Sequence, residues 1–174
     1  GAGKSALLKT VLGMNKPESG EIWYQGERID KLSPYQVIEK GLCYIPEGRR
    51  IFPELTVLEN IRLGALSKKA QNLEAKNLQR VFDLFPILKE RKNQLGGTLS
   101  GGERQMLAIA RGLMSSPQFM MIDEPLLGLA PKVVPKIFET LKEVNERGVT
   151  ILVVEQNVRQ TLEISKKGYV IEGG

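Results

Sequence analysis

The sequence predicts an α/β fold with a mainly parallel sheet, and two patterns carry that prediction. Strand-length apolar runs occur at residues 42–45, 119–122 and 149–154. Stretches whose apolar residues recur at helical spacing separate these runs. Because strands that alternate with helices are typical of parallel sheets, the chain of 174 residues is expected to form one α/β domain over residues 1–174.

Capping residues, glycine and proline predict where the helices begin and end. The first helix follows Ser5 and ends at Gly13, and a short β run at 21–24 precedes a turn. Pro131 opens a later helix that Gly148 ends. Capping boxes, in which Ser or Thr is followed three residues later by Glu or Gln, mark further helix starts: Ser33 with Gln36, Thr56 with Glu59, and Ser100 with Glu103.

Residues 53–97 are predicted to form a helical subdomain inserted into the α/β core. No strand-like run occurs between Thr56 and Lys92, and strand–helix alternation resumes only after this stretch. Its apolar residues recur at helical spacing: Leu73, Leu78, Val81, Phe82 and Phe85.

Composition excludes several classes of chemistry. The chain has no histidine, which rules out Ser-His catalysis and His-containing zinc sites, so acid–base chemistry falls to carboxylates or lysine. Cys43 is the one cysteine, so the fold needs no internal disulfide. The 25 basic and 20 acidic residues are interleaved, which makes any nucleic-acid footprint weak. The apolar runs are far shorter than the roughly 20 residues that span a bilayer.

The first residues, Gly1-Ala2-Gly3-Lys4-Ser5, match the second half of the phosphate-binding pattern G-x-x-x-x-G-K-[ST]. The glycines turn backbone N–H groups toward phosphate oxygens, Lys4 supplies positive charge, and the Ser5 hydroxyl can bind Mg²⁺. On its own, the match also fits a glycine turn before a helix.

Two carboxylates, Asp123 and Glu124, follow the apolar run 119–122. In a Walker B segment the first acid holds Mg²⁺ and the second polarises the attacking water. Alone, the pair also fits a solvated strand end. Its combination with Lys4 and Ser5 favours a nucleotide site.

Residues 99–105, Leu-Ser-Gly-Gly-Glu-Arg-Gln, place two glycines just inside a predicted helix start. Glycine in a helix interior costs roughly 1 kcal/mol relative to alanine, which indicates a use other than helix formation. Exposed N–H groups at a capped helix start can bind an anion.

Together these segments resemble the nucleotide-binding subunits of ATP-binding cassette (ABC) transporters, over essentially the whole chain. Residues 46–53, 124–131 and 154–157 look like the subfamily that powers uptake of branched-chain and other hydrophobic amino acids. The resemblance implies a P-loop NTPase core, with the helical subdomain inserted between the Q-loop and the signature motif. It also implies ATP hydrolysis coupled to transmembrane transport.

The resemblance assigns a role to each motif residue. Two subunits would pair head to tail, with ATP between the phosphate loop of one and the signature helix start of the other. Glu124 is the expected general base, with Gln156 as a second catalytic residue, and Ser5, Glu47 and Asp123 would hold Mg²⁺. The expected ATP-binding residues are Gly1, Ala2, Gly3, Lys4, Ser5, Ala6, Ser100, Gly101, Gly102 and Glu103.

Three positions depart from the general pattern of this family. Glu47 stands in place of the Q-loop glutamine, Gln156 in place of the usual histidine, and Ala130 in place of the D-loop aspartate. A carboxylate can still ligate magnesium, whereas glutamine can hydrogen-bond a phosphate but cannot carry a proton. These departures bear on the rate of hydrolysis. The alternative for Glu47 and Gln156 is that they are solvated loop residues.

The implied partners are a second ABC ATPase subunit, which would make a heterodimer, and integral membrane permease subunits. A periplasmic or extracellular substrate-binding protein would act through the permease, and no nucleic-acid partner is expected. The expected location is peripheral, on the cytoplasmic face of the plasma (inner) membrane. Ile51, Phe52 and Leu55 are candidates for contact with a coupling helix of the permease, with attachment of the subdomain to the core as the alternative.

Two other functions stay open. The departures at Glu47, Ala130 and Gln156 also suit a nucleotide-responsive regulatory module with little hydrolysis. The excess of basic over acidic residues suits a soluble ABC ATPase that acts on nucleic acid. The latter needs a long coiled coil, for which only about one hundred residues are available before the signature motif. The chain is expected to be truncated at both ends, so that by itself it binds ATP poorly. Trp23 is expected to be a sheet residue rather than a platform for adenine.

Overall fold

The structure, a computed structural model, describes residues 3–172. In this part of the chain the strands are β1 (Trp23–Tyr24), β2 (Glu27–Arg28), β3 (Leu42–Ile45), β4 (Phe119–Asp123) and β5 (Thr150–Val154). The helices are α1 (Lys4–Val11), α2 (Pro34–Glu39), α3 (Val57–Arg62), α4 (Lys68–Asn72), α5 (Glu74–Leu84), α6 (Pro86–Glu90), α7 (Gly101–Leu113), α8 (Val134–Glu146) and α9 (Val158–Ile164). Within residues 3–172, no helix is both long enough and apolar enough to cross a membrane.

A parallel sheet of order β3-β4-β5 forms the centre of the fold. Cys43 lies opposite Met120 in the register, and Met120 lies opposite Ile151. Strand β4 is buried on both faces, as expected for the middle strand of a parallel sheet covered by helices. Strands β1 and β2 form a separate antiparallel hairpin. The predicted α/β class with a mainly parallel sheet is therefore confirmed.

Alternating residues of the central strands supply two apolar clusters. Met121 belongs to the smaller cluster, with apolar residues of α1 and α2, whereas Met120 and Ile122 belong to the larger one, with residues of α7 and α8. Because successive side chains of a strand point to opposite faces, helices cover both sides of the sheet. Because the helices cover the faces of the sheet, the segments at the carboxyl ends of its strands are available to form a binding site.

The predicted capping boxes are all formed, at Ser33, Thr56 and Ser100. The predicted helix start at Pro131 is wrong in detail, because Pro131–Val133 is a 3₁₀ turn and α8 begins at Val134. Pro135 explains the difference, since it has no N–H to donate to the carbonyl of Pro131 and a continuous α-helix would lack that bond.

The secondary structure of residues 57–90 consists of helices α3 to α6 with no strand, and hydrogen bonds join the two ends of this segment. The Val57 N–H donates to the Gln94 carbonyl at 2.9 Å, and the Gly96 N–H donates to the Leu55 carbonyl at 2.8 Å. The longest of these helices, α5, has 11 residues, so this part of the structure contains no long coiled coil. The helices share the larger apolar cluster with the sheet. That residues 53–97 form a distinct helical subdomain stays a prediction.

Asn60 organises the loop before α3. Its side chain is fully buried and accepts a hydrogen bond from the Phe52 N–H at 2.8 Å. Its two amide N–H groups are shared among the carbonyls of Phe52, Leu55 and Thr56, which lie 2.9–3.1 Å from Nδ2. Each buried polar group left unpaired costs about 1–3 kcal/mol. We therefore expect Asn60→Ala to lower the free energy of unfolding in urea by at least about 2 kcal/mol.

Asn72→Ala, at an exposed position of α4, is the matched control and should change that free energy by no more than about 0.5 kcal/mol. Equal free energies of unfolding for the two variants would show that the network around Asn60 contributes nothing.

Candidate functional site

A cavity of about 270 Å³ lies among the segments that follow the carboxyl ends of β3, β4 and β5. Ligands in open α/β sheets bind at this edge. Every lining residue is one that the sequence predicted for the site: Gly3, Lys4, Ser5, Ala6, Glu47, Glu124 and Gln156. The predicted residues Gly1 and Ala2 lie outside the described residues.

The amino-terminal end of α1 forms one wall of this cavity. Gly3 caps the helix with a φ of 79°, in the left-handed region that glycine adopts without strain. The first N–H groups of a helix have no partner within it and carry partial positive charge, so they favour an anion. Lys4 adds a full positive charge at the same end. This wall suits phosphate oxygens.

Ser5 and Asp123 are joined across the site. The Ser5 hydroxyl donates to Asp123 Oδ1 at 3.0 Å, and the Tyr44 hydroxyl donates to Asp123 Oδ2 at 3.1 Å. Burial and the nearby Asp123 raise the pKa of Tyr44 to about 12, so Tyr44 stays protonated as a donor. Tyr44 was missed by sequence reasoning. The available signal was a tyrosine inside the otherwise apolar strand β3.

The Ser5 hydroxyl and the Asp123 carboxylate are hard oxygen donors that suit Mg²⁺, and the Glu47 carboxylate lines the same cavity. In residues 3–172 no group of three or more Asp, Glu, Cys or His side chains forms a metal site by itself. Mg²⁺ is usually held by one or two carboxylates together with substrate phosphates. The residues present therefore fit a magnesium ion that arrives with a nucleotide.

Glu124 lies at a sharp turn after β4. Its φ of 48° is in the left-handed region, which costs roughly 1–2 kcal/mol for a residue with a Cβ and is frequent at functional sites. Its N–H donates to the Val154 carbonyl at 2.8 Å. The Gln156 side-chain amide donates to Glu124 Oε1 at 2.9 Å. These contacts hold a carboxylate, which can accept a proton, beside the phosphate-binding end of α1.

Glu155 ties together the two loops that carry Glu124 and Gln156. Its carboxylate accepts from the Leu126 N–H at 2.8 Å and from the Gln156 N–H at 3.2 Å. Burial raises the pKa of Glu155, and the nearby Glu124 raises it further. The sequence did not indicate this role, because the contact joins residues that lie far apart in the chain.

The predicted signature residues lie elsewhere. Ser100, Gly101, Gly102 and Glu103 do not line the cavity that holds Lys4 and Glu124. The Glu103 carboxylate accepts from the Ser100 N–H at 2.8 Å, which completes the capping box. Within one chain the two halves of the predicted ATP site are therefore separate, an arrangement that a head-to-tail dimer requires.

Gly102 has a structural reason to be glycine. A Cβ at this position would lie 2.5 Å from Val133 Cγ1, closer than any stable contact. Overpacking of this kind costs about 1–3 kcal/mol, and we expect Gly102→Ala to lower the free energy of unfolding by that amount. The added Val133→Ala should recover part of the loss in the same urea titration.

Gly101→Ala is the matched control, because its Cβ would meet nothing nearer than Leu129 Cδ2 at 3.6 Å. A Gly102→Ala variant as stable as Gly101→Ala would contradict this account of the packing.

The apolar residues beside the Q-loop were candidates either for contact with a coupling helix of the permease or for attachment of the helical segment to the core. Phe52 and Ile51 differ in this respect. Phe52 is 51% exposed and lies against the Arg111 guanidinium, whose carbon is 5.7 Å from the ring centre. Ile51 is partly buried and packs on the larger cluster, which favours attachment to the core. Trp23 is 60% exposed in β1 and does not line the cavity.

Comparisons with known proteins identify the family to which this chain belongs. A family model described as ABC transporter matches residues 1–127. The whole chain is 45% identical to the high-affinity branched-chain amino acid transport ATP-binding protein BraG of Pseudomonas aeruginosa and spans 74% of that protein. It is 38% identical to the probable branched-chain amino acid transport ATP-binding protein LivF of Archaeoglobus fulgidus, again over 74% of that protein. The chain belongs to the ABC transporter family, as an ATP-binding ATPase domain of that family.

Solved structures agree with this assignment. The fold matches the ADP conformation of MJ1267, an ATP-binding cassette of an ABC transporter, with a TM-score of 0.82 over 94% of this chain and 69% of that one, at 24% identity. It also matches the dimeric structure of MJ0796, a bacterial ABC transporter cassette, with a TM-score of 0.71 at 27% identity, over 91% of this chain and 72% of that one. The predicted P-loop NTPase core is thus confirmed.

Proposed function

We propose that this chain is the ATP-hydrolysing part of a subunit that energises an importer of branched-chain or other hydrophobic amino acids. One observation carries the ATPase assignment: Lys4, Ser5 and Glu124 surround one cavity, and Ser5 is hydrogen-bonded to Asp123. The substrate class is supported by the names of the two relatives, both of which are branched-chain amino acid transport ATP-binding proteins.

Hydrolysis follows from the placement of these groups. Lys4 and the N–H groups of α1 bind the phosphates of ATP and orient the γ-phosphoryl group. Glu124 accepts the proton of the attacking water, whose oxygen bonds to the γ-phosphorus as the bond to ADP breaks. Ser5 and Asp123, with Glu47 nearby, would hold Mg²⁺, and the bound ion would supply positive charge to the phosphates. Gln156 orients the Glu124 carboxylate through its amide.

The departures from the family pattern are compatible with this scheme. Gln156 has no titratable group, so its part is limited to hydrogen bonding. Glu47 keeps an oxygen donor at the cavity. Ala130 lies on the exposed turn before α8 and does not line this cavity. None of these residues replaces Glu124 as the base.

The assembly we propose is a head-to-tail pair with a second ABC ATPase subunit, as a heterodimer, bound to permease subunits at the cytoplasmic face of the membrane. Its support is the separation of Ser100 and Gly101 from the cavity in a single chain. A substrate-binding protein outside the membrane would deliver the amino acid to the permease. Phe52, half exposed beside the helical segment, is the best-placed contact for a coupling helix.

A regulatory module with little hydrolysis is the second candidate, and the substitutions at Glu47, Ala130 and Gln156 favour it. The experiment that separates the two functions uses the full-length subunit with its permease and binding protein in proteoliposomes. Uptake of labelled leucine should require Mg-ATP. Glu124→Gln should lower uptake by about 10²-fold or more at saturating Mg-ATP, whereas Lys4→Ala should require a higher Mg-ATP concentration for the same uptake. Uptake at the unmodified rate in Glu124→Gln would contradict the motor function.

A further inference from the structure

Arg49 lies where the loop after β3, the turn after β4 and helix α7 meet. Its Nη2 donates to the Leu127 carbonyl at 2.6 Å, and its own carbonyl accepts from Arg111 Nη2 of α7 at 3.3 Å. Arg49 follows Glu47, which lines the cavity, by two residues. Arg49 therefore connects the loop that carries Glu47 with the turn that carries Glu124, and both of these residues line the cavity.

The backbone at this point is held in an unfavourable conformation. Arg49 has a φ of 64° and Arg50 a φ of 40°, both in the left-handed region that residues with a Cβ rarely adopt. Burial and the nearby Arg104 lower the pKa of Arg49, so its charge is also placed at an electrostatic cost. Such features persist only where other contacts fix them. The bond to Leu127 is a contact of this kind.

The carbonyl that Arg49 binds belongs to the turn of Glu124. The Leu127 N–H donates to the Glu124 carbonyl at 3.2 Å, so residues 124–127 form one hydrogen-bonded turn. The Glu155 carboxylate accepts from the Leu126 N–H, and Arg49 donates to the Leu127 carbonyl of the same turn. Loss of either contact would let the turn, and the Glu124 carboxylate with it, shift relative to the phosphates.

We propose that Arg49 is a positioning residue for Glu124, acting through the Leu127 carbonyl, and that it couples the placement of the general base to the loop carrying Glu47. This inference rests on the proposed function, because it assigns Arg49 a part in ATP hydrolysis. Arg49 itself does not line the cavity and touches no reacting group.

The test compares Arg49→Ala, Arg49→Lys and Arg147→Ala in the full-length subunit. A misplacement of about 1 Å costs up to about 10²-fold in rate, so we expect Arg49→Ala to lower kcat by about 10- to 100-fold with KM for Mg-ATP unchanged. Arg49→Lys keeps a donor and should recover part of kcat. Arg147, an exposed residue that pairs with Glu143 at the end of α8, is the matched control and should leave both constants unchanged.

A double-variant cycle with Glu124→Gln shows whether Arg49 acts through the base. Residues that act as a unit are not additive, so Arg49→Ala should have no further effect on single-turnover hydrolysis once Glu124 is glutamine. If Arg49→Ala does not fold, Arg49→Lys carries the same test, with reduced kcat and unchanged KM as the supporting result.

Three results would overturn the role of Arg49 and leave the role of Glu124 intact, provided that Glu124→Gln itself lowers kcat but keeps a measurable single-turnover rate. They are a wild-type kcat in Arg49→Ala, a loss confined to KM, and a full additional loss in the Glu124→Gln background. Full turnover by Glu124→Gln would instead overturn the proposed function, and the inference with it.

Discussion

Replacing Glu124 by glutamine is expected to lower kcat for ATP hydrolysis by about 10²- to 10⁴-fold, the contribution of a positioned general base. Glutamine has nearly the same shape and keeps an oxygen that can accept from Gln156, which now bonds Glu124 at 2.9 Å. It cannot take up the proton of the attacking water. Phosphate release by the full-length subunit in Mg-ATP measures the effect, and affinity for ATP should be retained.

Glu146→Gln is the control for this substitution, since it makes the same chemical change at an exposed residue near the end of α8. Its kcat should equal that of the unmodified protein. A Glu124→Gln variant that releases phosphate at the rate of Glu146→Gln would show that another group acts as the base.

Replacing Lys4 by alanine is expected to act on nucleotide binding. Lys4 lines the cavity at the amino-terminal end of α1. A hydrogen bond to a charged group is worth about 1.5–3 kcal/mol, which corresponds to an ATP affinity weaker by roughly 10- to 100-fold. Equilibrium titration with Mg-ATP measures this change.

Lys9→Ala provides the matched comparison, because Lys9 is an exposed lysine in the last turn of the same helix. Its removal changes the net charge equally and leaves the phosphate-binding end of α1 intact. ATP affinities that fall together in the two variants would mean that net charge, rather than the position of Lys4, governs binding.

Much of the fold was predictable because it depends on local sequence. Capping boxes involve residues three positions apart, and the apolar strands are continuous runs, so the three predicted boxes and strands β3, β4 and β5 all form. The position of the cavity was predictable from the order of strands and loops. Loops after neighbouring parallel strands meet at one edge of the sheet, which brings Glu47, Glu124 and Gln156 beside Lys4.

The contacts that support the site could not be predicted in this way. Tyr44 and Asp123 are 79 positions apart, Arg49 and Leu127 are 78 apart, and Glu155 and Leu126 are 29 apart. No periodicity or short motif encodes such pairs.

Gly102 shows a related limit. Its position in the signature motif suggested an anion site, but close packing against Val133 is an independent reason for glycine there.

The most direct test of the account is the identity of the nucleotide that remains on Glu124→Gln. The full-length variant would be incubated with Mg-ATP and separated rapidly from free nucleotide, and the bound nucleotide would then be extracted and resolved by ion-exchange chromatography. If Lys4 and α1 bind the phosphates and Glu124 is the base, the bound nucleotide is intact ATP. Recovery of ADP would contradict the role of Glu124, and a variant that retains no nucleotide would contradict the separation of binding from catalysis.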